Sequence, residues 1–453
     1  AVHHRAADIA AALLDRYTGL IPFERVGRTA LLRIITEYPK LFKGADQESL
    51  LANTRDLYTE CFTQEDFFTC ETICKLAAPY AQSLGRDPRE WHQRLGQAYE
   101  GEAASRQPND DSSLMAIEFY SRAAKAYQLA GNAVAEAAAL QHIQALKPKL
   151  KLNTITTEFT PEQVKALLDD VKLQTDLLLK HSPDQILDFL ACSERVIPNY
   201  TDIKAQAAKE KPSFLSAIST IYIDGNKNTS HGEAKEKSKA EKGKPKESAA
   251  EREKREQAEK RAQEISQRAR QSYSLALSFR LQYLIPAFVE GYRASKITYE
   301  TLCHYLESHS WTAQTLSEYD ISGNIVEYTW QPMLRPGLQE FFGQLHTFIQ
   351  EGPTAASFVL CIDSLTLKIE GLLREVLQQM GAHTIATHKR HDLREVFFDD
   401  LLDLAREKEL LNENECYFLR YVFTPLGQNL RNDIAHSYYH LPERYSIQTI
   451  ILL

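Results

Sequence analysis

Phe358-Val-Leu-Cys-Ile-Asp-Ser-Leu-Thr-Leu-Lys-Ile-Glu-Gly-Leu-Leu-Arg-Glu-Val-Leu377 carries apolar residues at 358, 362, 365, 369, 372 and 376. Steps of three and four lay these side chains along one stripe, so the run predicts a long amphipathic helix. The same period recurs downstream. Leu393, Val396, Phe397, Leu401 and Leu404 mark a second helix, and Cys416 to Phe423 a third. Thr424-Pro425 reads as an N-cap followed by proline at the first helical position, with Pro442 as the stop. A fourth helix of roughly four turns is therefore expected, striped by Phe423, Leu426, Leu430 and Ile434. Four helices closing on such stripes form a bundle over residues 354–453.

Glycine and proline are scarce along the chain, at 18 and 17 of 453 residues, and helix formers dominate. β-branched clusters are confined to Ile218–Ile223 and Ile447–Leu453, so the fold class is all-α. Residues 1–223 read as a helical array, with amphipathic segments at Ile9–Tyr17, Arg28–Tyr38, Gln47–Phe62 and Pro161–His181. Within it, Trp91-x(3)-Leu95-Gly96-x(2)-Tyr99 and the later Phe119–Gly131 segment resemble tetratricopeptide helices, whose small residues let paired helices approach. No 34-residue period repeats three times, which favours a generic array, and either form offers a face to a regulatory protein. Residues 224–261 are a charged linker that runs into a helix continuing through Ile265, Tyr273, Leu277 and Leu281. Lys242, Lys244 and Lys246 in that tract face interleaved glutamates, so a solvated helix is expected there in preference to an RNA contact. Residues 262–353 form a helical connector containing Trp311, Trp330 and the Pro332-x(3)-Pro336 turn.

Seven scattered cysteines without C-x-x-C spacing argue for reduced thiols and a cytoplasmic setting, with no disulfide framework and no zinc site. Cys70 and Cys74 share a helix face with Phe67 and Ile73 beside it, which points to core packing. No apolar run is long enough to span a membrane. A net charge of −8 restricts any nucleic-acid contact to a local patch.

Such a patch is offered by Leu430-Arg-Asn-Asp-Ile-Ala-His436. Asn432 and His436 lie four apart, hence on one helix face, and Arg431 is about 100° away. An imidazole accepts a proton near neutral pH, and a guanidinium fork holds phosphate oxygens. Together they suit RNA cleavage through the ribose 2′-hydroxyl, with His436 as general base and Arg431 on the phosphate. The competing expectation is an exposed helix face with Arg431 and Asp433 in surface ion pairs. On the preceding helix, Glu370 and Arg374 are either a simple i,i+4 pair or a support in which Glu370 orients Arg431 or His436.

Arg431-Asn432-x(3)-His436 resembles the Arg-x(4–6)-His signature of the HEPN superfamily, many members of which are metal-independent ribonucleases. Glu370-Gly-Leu-Leu-Arg374 and Asn429-Leu-Arg-Asn-Asp-Ile-Ala-His436 together resemble the Glu-x-x-Leu-Arg and Asn-Leu-Arg-Asn-x-x-Ala-His helices of one uncharacterised HEPN subfamily. That subfamily usually follows the histidine with glycine, where this chain has Ser437. The resemblance covers roughly the last 100 residues. It implies a homodimer through the C-terminal domain, a cleft containing two copies of Arg431, Asn432 and His436, RNA as substrate, and neither metal nor cofactor. Asn432 would hold His436 in one tautomer or cap the phosphate. Arg431-x(4)-His436-Ser-Tyr438 also resembles the form whose tyrosine is adenylylated by a partner enzyme, which makes Tyr438 a candidate modification site beside the plainer reading that it packs at the domain edge. Lys389 and Arg390, flanked by His388 and His391, are candidates for guiding RNA or simply an exposed loop. A noncatalytic HEPN module for dimerisation or nucleotide binding, with the helical array as a protein scaffold, is the alternative that the same resemblance permits.

Overall fold

Most of the apolar stripes close into helices. The computed structural model describes residues 45–107, 113–150, 159–210, 221–223, 229–231, 249–387, 393–438 and 444–453. Lys242, Lys244, Lys246, Lys389, Arg390 and Pro442, and the helices expected at Ile9–Tyr17 and Arg28–Tyr38, lie outside the described residues. Two compact units divide the chain at Ala1–Thr156 and Thr157–Leu453. This division differs from the expected boundary at 223, because helices between 161 and 209 belong to the core of the second unit.

In the first unit, α1 (Ala45–Thr63), α2 (Phe67–Ser83), α3 (Arg89–Arg106), α4 (Leu114–Ala130) and α5 (Ala133–Leu146) each pack on the next. Local chemistry sets the breaks between them. The Asp66 side chain accepts the Thr69 N–H to open α2. Gly131, at φ +74°, ends α4, and Asn132 accepts the Ala135 N–H to start α5. Gly96 permits the α3–α4 approach, since a Cβ there would stand 2.5 Å from the Tyr127 ring. Trp91 and Tyr127 fill the space gained. Helix pairs begin at Phe67 and Leu114, further apart than a tetratricopeptide period, so the arrangement is the generic array. Cys70 and Cys74 are fully buried beside Ile73, and burial raises both thiols, that of Cys70 to about 12, so they stay protonated at neutral pH.

The second unit contains α6 (Pro161–Leu178), α7 (Pro183–Cys192), α8 (Tyr200–Lys209), the hairpin β1 (Ile221–Ile223) and β2 (Thr229–His231), α9 (Ala249–Arg293) and α10 (Tyr299–His309). After these come the hairpin β3 (Leu316–Tyr319) and β4 (Ile325–Tyr328), α11 (Gln331–Glu351) and α12 (Val359–Gln379). The hairpin β5 (Ile385–Thr387) and β6 (Leu393–Glu395) precedes α13 (Phe398–Glu407), α14 (Glu413–Phe423), α15 (Leu430–Ala435) and α16 (Ile447–Ile451). The chain is all-α apart from short antiparallel hairpins. Among the described residues, no helix is long and apolar enough to cross a membrane.

Several expectations are corrected. Residues 262–353 are not wholly helical: Asp320 accepts the N–H groups of Ser322 and Asn324, Gly323 takes φ +81°, and β3 folds back on β4. Leu393 belongs to strand β6, and the helix expected to contain it starts at Phe398. Ile447–Ile451 is helical because Ser446 accepts the Thr449 N–H and Ile447 and Ile450 point into the core. Helix α9, 45 residues and roughly 68 Å long, runs unbroken from the charged tract into the apolar stripe Tyr273, Leu277 and Leu281. The C-terminal helices do not close on themselves. Their core is continuous with residues from Ile186 onward. Tyr200 stacks on Tyr417 with ring centroids 3.4 Å apart, and Tyr273 meets Tyr417 edge-on at 4.7 Å, tying α8 and α9 to α14.

The Tyr273 hydroxyl is buried without a hydrogen-bond partner among the described residues. Tyr273→Phe is therefore expected to raise stability by about 1 kcal/mol, while Tyr273→Ala lowers it by roughly 3–5 kcal/mol. Urea denaturation of both variants checks the pair of signs.

Candidate active site

The motif segment is much shorter than the four-turn helix expected. Thr424 closes α14 instead of opening a new helix: its N–H donates to the Arg420 carbonyl, and its hydroxyl accepts the Leu426 N–H. Residues 424–429 then form a tight turn. The Gln428 N–H donates to the Tyr421 carbonyl at 2.7 Å, and a Cβ on Gly427 would run into that same oxygen. Asn429, at φ +56°, starts the six-residue α15. Phe423, Leu430 and Ile434 are buried as the stripe requires, although Phe423 belongs to the preceding helix.

His436 is the C-cap of α15, exposed to solvent. The helix ends there in a Schellman arrangement: the Ser437 N–H donates to the Ile434 carbonyl and the Tyr438 N–H to the Asp433 carbonyl. Ser437 adopts φ +57°, a conformation that glycine takes without steric cost. Tyr438 is 55% exposed, and its ring centroid lies 5.9 Å from that of His436.

Arg431 points back to α12. Its Nε and Nη2 reach Glu370 Oε2 at 2.8 and 2.7 Å, and its Nη1 donates to Asn432 Oδ1 at 2.8 Å. Nε and Nη1 each donate a hydrogen bond, Nη2 stands in ion-pair contact with the same Glu370 oxygen, and the guanidinium keeps N–H bonds beyond these. The other Glu370 oxygen accepts from Arg374 at 3.0 Å. Glu370 thus makes both the i,i+4 pair and the bridge to Arg431 that the sequence offered as alternatives. Its seat on α12 depends on Gly371, where a Cβ would press to 2.7 Å from the Trp330 ring. Asn432 serves Arg431 rather than His436, because its Nδ2 donates to Asn429 Oδ1 at 2.9 Å while its carbonyl oxygen holds the guanidinium.

Asp433 is not a surface residue. It is fully buried, accepts from Asn429 Nδ2 at 2.8 Å and forms an ion pair with Arg444 at 2.8 Å. Neither Asn429 nor Arg444 was picked out as a supporting residue from sequence. The available signal was that position 433 falls beside Leu430 and Ile434 on the inward face, where a carboxylate needs a partner. Glu395 was also missed. Arg374 donates to Glu395 at 2.6 Å and to the carbonyls of Thr384 and Val396 at 3.2 and 2.9 Å, which fixes both ends of the β5–β6 hairpin to α12. Lys389 and Arg390 belong to the segment joining these strands, outside the described residues. One connected network therefore runs from the hairpin through Arg374, Glu370, Arg431, Asn432 and Asn429 to Asp433 and Arg444. Among the described residues, no group of three or more His, Cys, Asp or Glu side chains is placed to hold a metal ion.

Comparison of the chain with protein-family models, curated proteins and solved structures gives no match.

Two stability changes follow from this geometry. Arg444→Ala leaves the Asp433 carboxylate buried without its ionic partner and is expected to cost roughly 3–5 kcal/mol. Ser437→Gly relieves the left-handed backbone and is expected to gain about 1 kcal/mol. Chemical denaturation midpoints at a constant m-value test both.

Proposed function

We propose that this chain is a metal-independent endoribonuclease of HEPN type. The observation that carries the reading is the pairing of an exposed His436 with an Arg431 whose direction is fixed by Glu370 and Asn432 on the same short segment. In this reading His436 takes the proton of a ribose 2′-hydroxyl, and the resulting oxygen attacks the adjacent phosphorus. Arg431 meets the developing charge with its remaining N–H bonds, having already lost the freedom that binding would otherwise remove. The 5′-oxygen departs with a proton, leaving a 2′,3′-cyclic phosphate and a 5′-hydroxyl. Two copies of the chain bring two histidines to one cleft, so one can act as base while the other returns a proton. Asn432 positions Arg431 and does not touch the reacting atoms. RNA as substrate, the homodimer, a cytoplasmic role in stress or antiviral defence, and a regulatory protein on the N-terminal helices all belong to this proposal. The exposed Tyr438 beside His436 supports its place as an acceptor for modification that would shut the site.

The Glu370–Arg431 contact favours a second reading. A guanidinium already paired with a carboxylate is also a structural brace, and the domain then serves as a noncatalytic dimerisation or nucleotide-binding module. The two readings differ in what His436 does.

Wild type incubated with single-stranded and transfer RNA in EDTA is expected to leave 2′,3′-cyclic phosphate ends. His436→Ala should lower the rate roughly a hundredfold or more without altering the melting temperature, and Asn432→Ala should fall between the two. Equal activity of His436→Ala and wild type defeats the nuclease reading, as does an absence of cleavage over a range of RNA substrates and protein concentrations.

A further inference from the structure

The hairpin β3–β4 is a sheet of two strands that buries neither face. Its base is anchored: the Trp330 N–H donates to the Thr312 carbonyl at 3.1 Å, and the Tyr328 hydroxyl to Glu375 at 3.0 Å. Beyond Leu316 and Tyr328, which are half-buried, every residue of both strands is exposed. Tyr319, Ile325 and Val326 are among them, so the hairpin carries apolar surface that nothing in the second unit covers. A two-stranded ribbon is marginal in water by itself, and a further strand would add to its stability.

The ladder shows where such a strand would attach. The Asp320 N–H donates to the Asn324 carbonyl at 2.9 Å, so by antiparallel alternation the pairs Glu318–Val326 and Leu316–Tyr328 bond inward. Ser317 and Tyr319 on β3, and Ile325 and Glu327 on β4, then turn their N–H and C=O groups outward. Among the described residues, no other strand pairs with either edge. Edges of this kind are commonly guarded by lysine or proline, and neither strand contains one. From Ser310 to Leu334 the chain has no lysine, arginine or histidine at all, but has the carboxylates Glu318, Asp320 and Glu327. N–H bonds from Asn324 and the rest of the turn hold the Asp320 carboxyl below the usual carboxylate range. Glu318 and Glu327 are exposed, and among the described residues neither forms an ion pair. Side chains alternate between faces, so Ile325 shares one face with Tyr319 and Glu327, and Val326 shares the other with Glu318.

We propose that the free edge of β4 takes up an extended segment of a partner protein that has apolar and basic residues on both of its faces. Backbone bonds at Ile325 and Glu327 join the strands, apolar side chains cover Ile325 and Val326, and lysine or arginine meets Glu327 and Glu318. β4 is the chosen edge because it offers an apolar side chain to each face of the added strand. A second copy of the hairpin is a poor occupant, since it brings three more carboxylates and no cation. Nucleic acid is repelled by the same charge. The surface does not include the residues around His436, and the proposal does not depend on nuclease activity.

Fluorescence anisotropy of a labelled short peptide in which paired valines alternate with paired lysines, titrated with the full chain, tests it. That order places valine and lysine in turn on each face of a strand. Saturable binding is expected, with slower amide hydrogen exchange at Ile325 and Glu327, while the matching valine–glutamate peptide does not bind. The double variant Glu318→Lys with Glu327→Lys, both at exposed positions, should weaken binding about tenfold or more. Replacing residues 317–327 by a pair of glycines should abolish it, and the charge reversal decides the matter alone should that variant fail to fold. The proposal is overturned if the lysine peptide does not bind, if the glutamate peptide binds equally, or if charge reversal leaves affinity unchanged. It is also overturned if exchange slows only outside β4, or if the hairpin drives self-association while the peptide stays free, because the occupant is then a second copy.

Discussion

The carboxylate of Glu370, held between the guanidiniums of Arg374 and Arg431, is the interaction on which the C-terminal architecture turns. Helix α15 has six residues, too few to persist through its own hydrogen bonds. Its position comes from tertiary contacts: Leu430 and Ile434 in the core, Asp433 on Arg444, and Arg431 on α12. Taking Glu370 largely out of water is costly, and one guanidinium would offset that cost only in part. Two cations on two carboxylate oxygens make the burial tenable. They also join three elements, because Arg374 carries the β5–β6 hairpin on its other contacts.

This arrangement changes what the motif means. On one long helix, asparagine and histidine would project from a single face with arginine about 100° to one side. The helix is instead short and closed at both ends by left-handed residues, Asn429 and Ser437, with His436 as its C-cap. Arginine and asparagine become parts of a fixed network, while histidine at the C-cap remains open to solvent. Preorganisation of the arginine and access to the imidazole are then achieved by different means. The first comes from buried polar bonds and the second from the end of the helix.

Much of this was legible in the sequence, and the failures have physical causes. The stripes at 358–376 and 273–281 gave helices because a buried face imposes its period on the side chains, and that pattern is strong over many turns. Arg431, Asn432 and His436 stand out in the sequence as a candidate catalytic set with Glu370 and Arg374 as candidate supports; hydrogen bonds join Glu370, Arg374, Arg431 and Asn432, and His436 stands outside that network. The break at 424–429 is hidden in the sequence because Thr-Pro signals a helix start as readily as it permits a stop. The evidence against a continuous helix lay two residues on, where Gly427 and Asn429 are both turn formers. The hairpin β3–β4 escaped notice because its strands are largely exposed on both faces, so no alternation of apolar and polar residues records them. Asp433 was assigned to the surface on residue type alone, although its place beside Leu430 and Ile434 put it inside.

Charge balance adds a last constraint on the proposed contact of such a site with RNA. Within the network, Arg374, Arg431 and Arg444 are matched by Glu370, Glu395 and Asp433, so the cluster has no net charge of its own. The chain as a whole is negative. In the proposed nuclease reading, a phosphate arriving at Arg431 is therefore drawn by the local direction of its remaining N–H bonds and not by a broad positive field, which falls off only over a Debye length of about 8–10 Å. In that reading long-range attraction comes from elsewhere, and Lys389 and Arg390, in the sequence between β5 and β6, are the candidates for it. A site built this way separates capture from orientation. In the proposed nuclease reading, the same glutamate that weakens Arg431 as a collector of phosphate makes it a rigid donor once phosphate is present, and catalysis of that kind depends on the second property more than on the first.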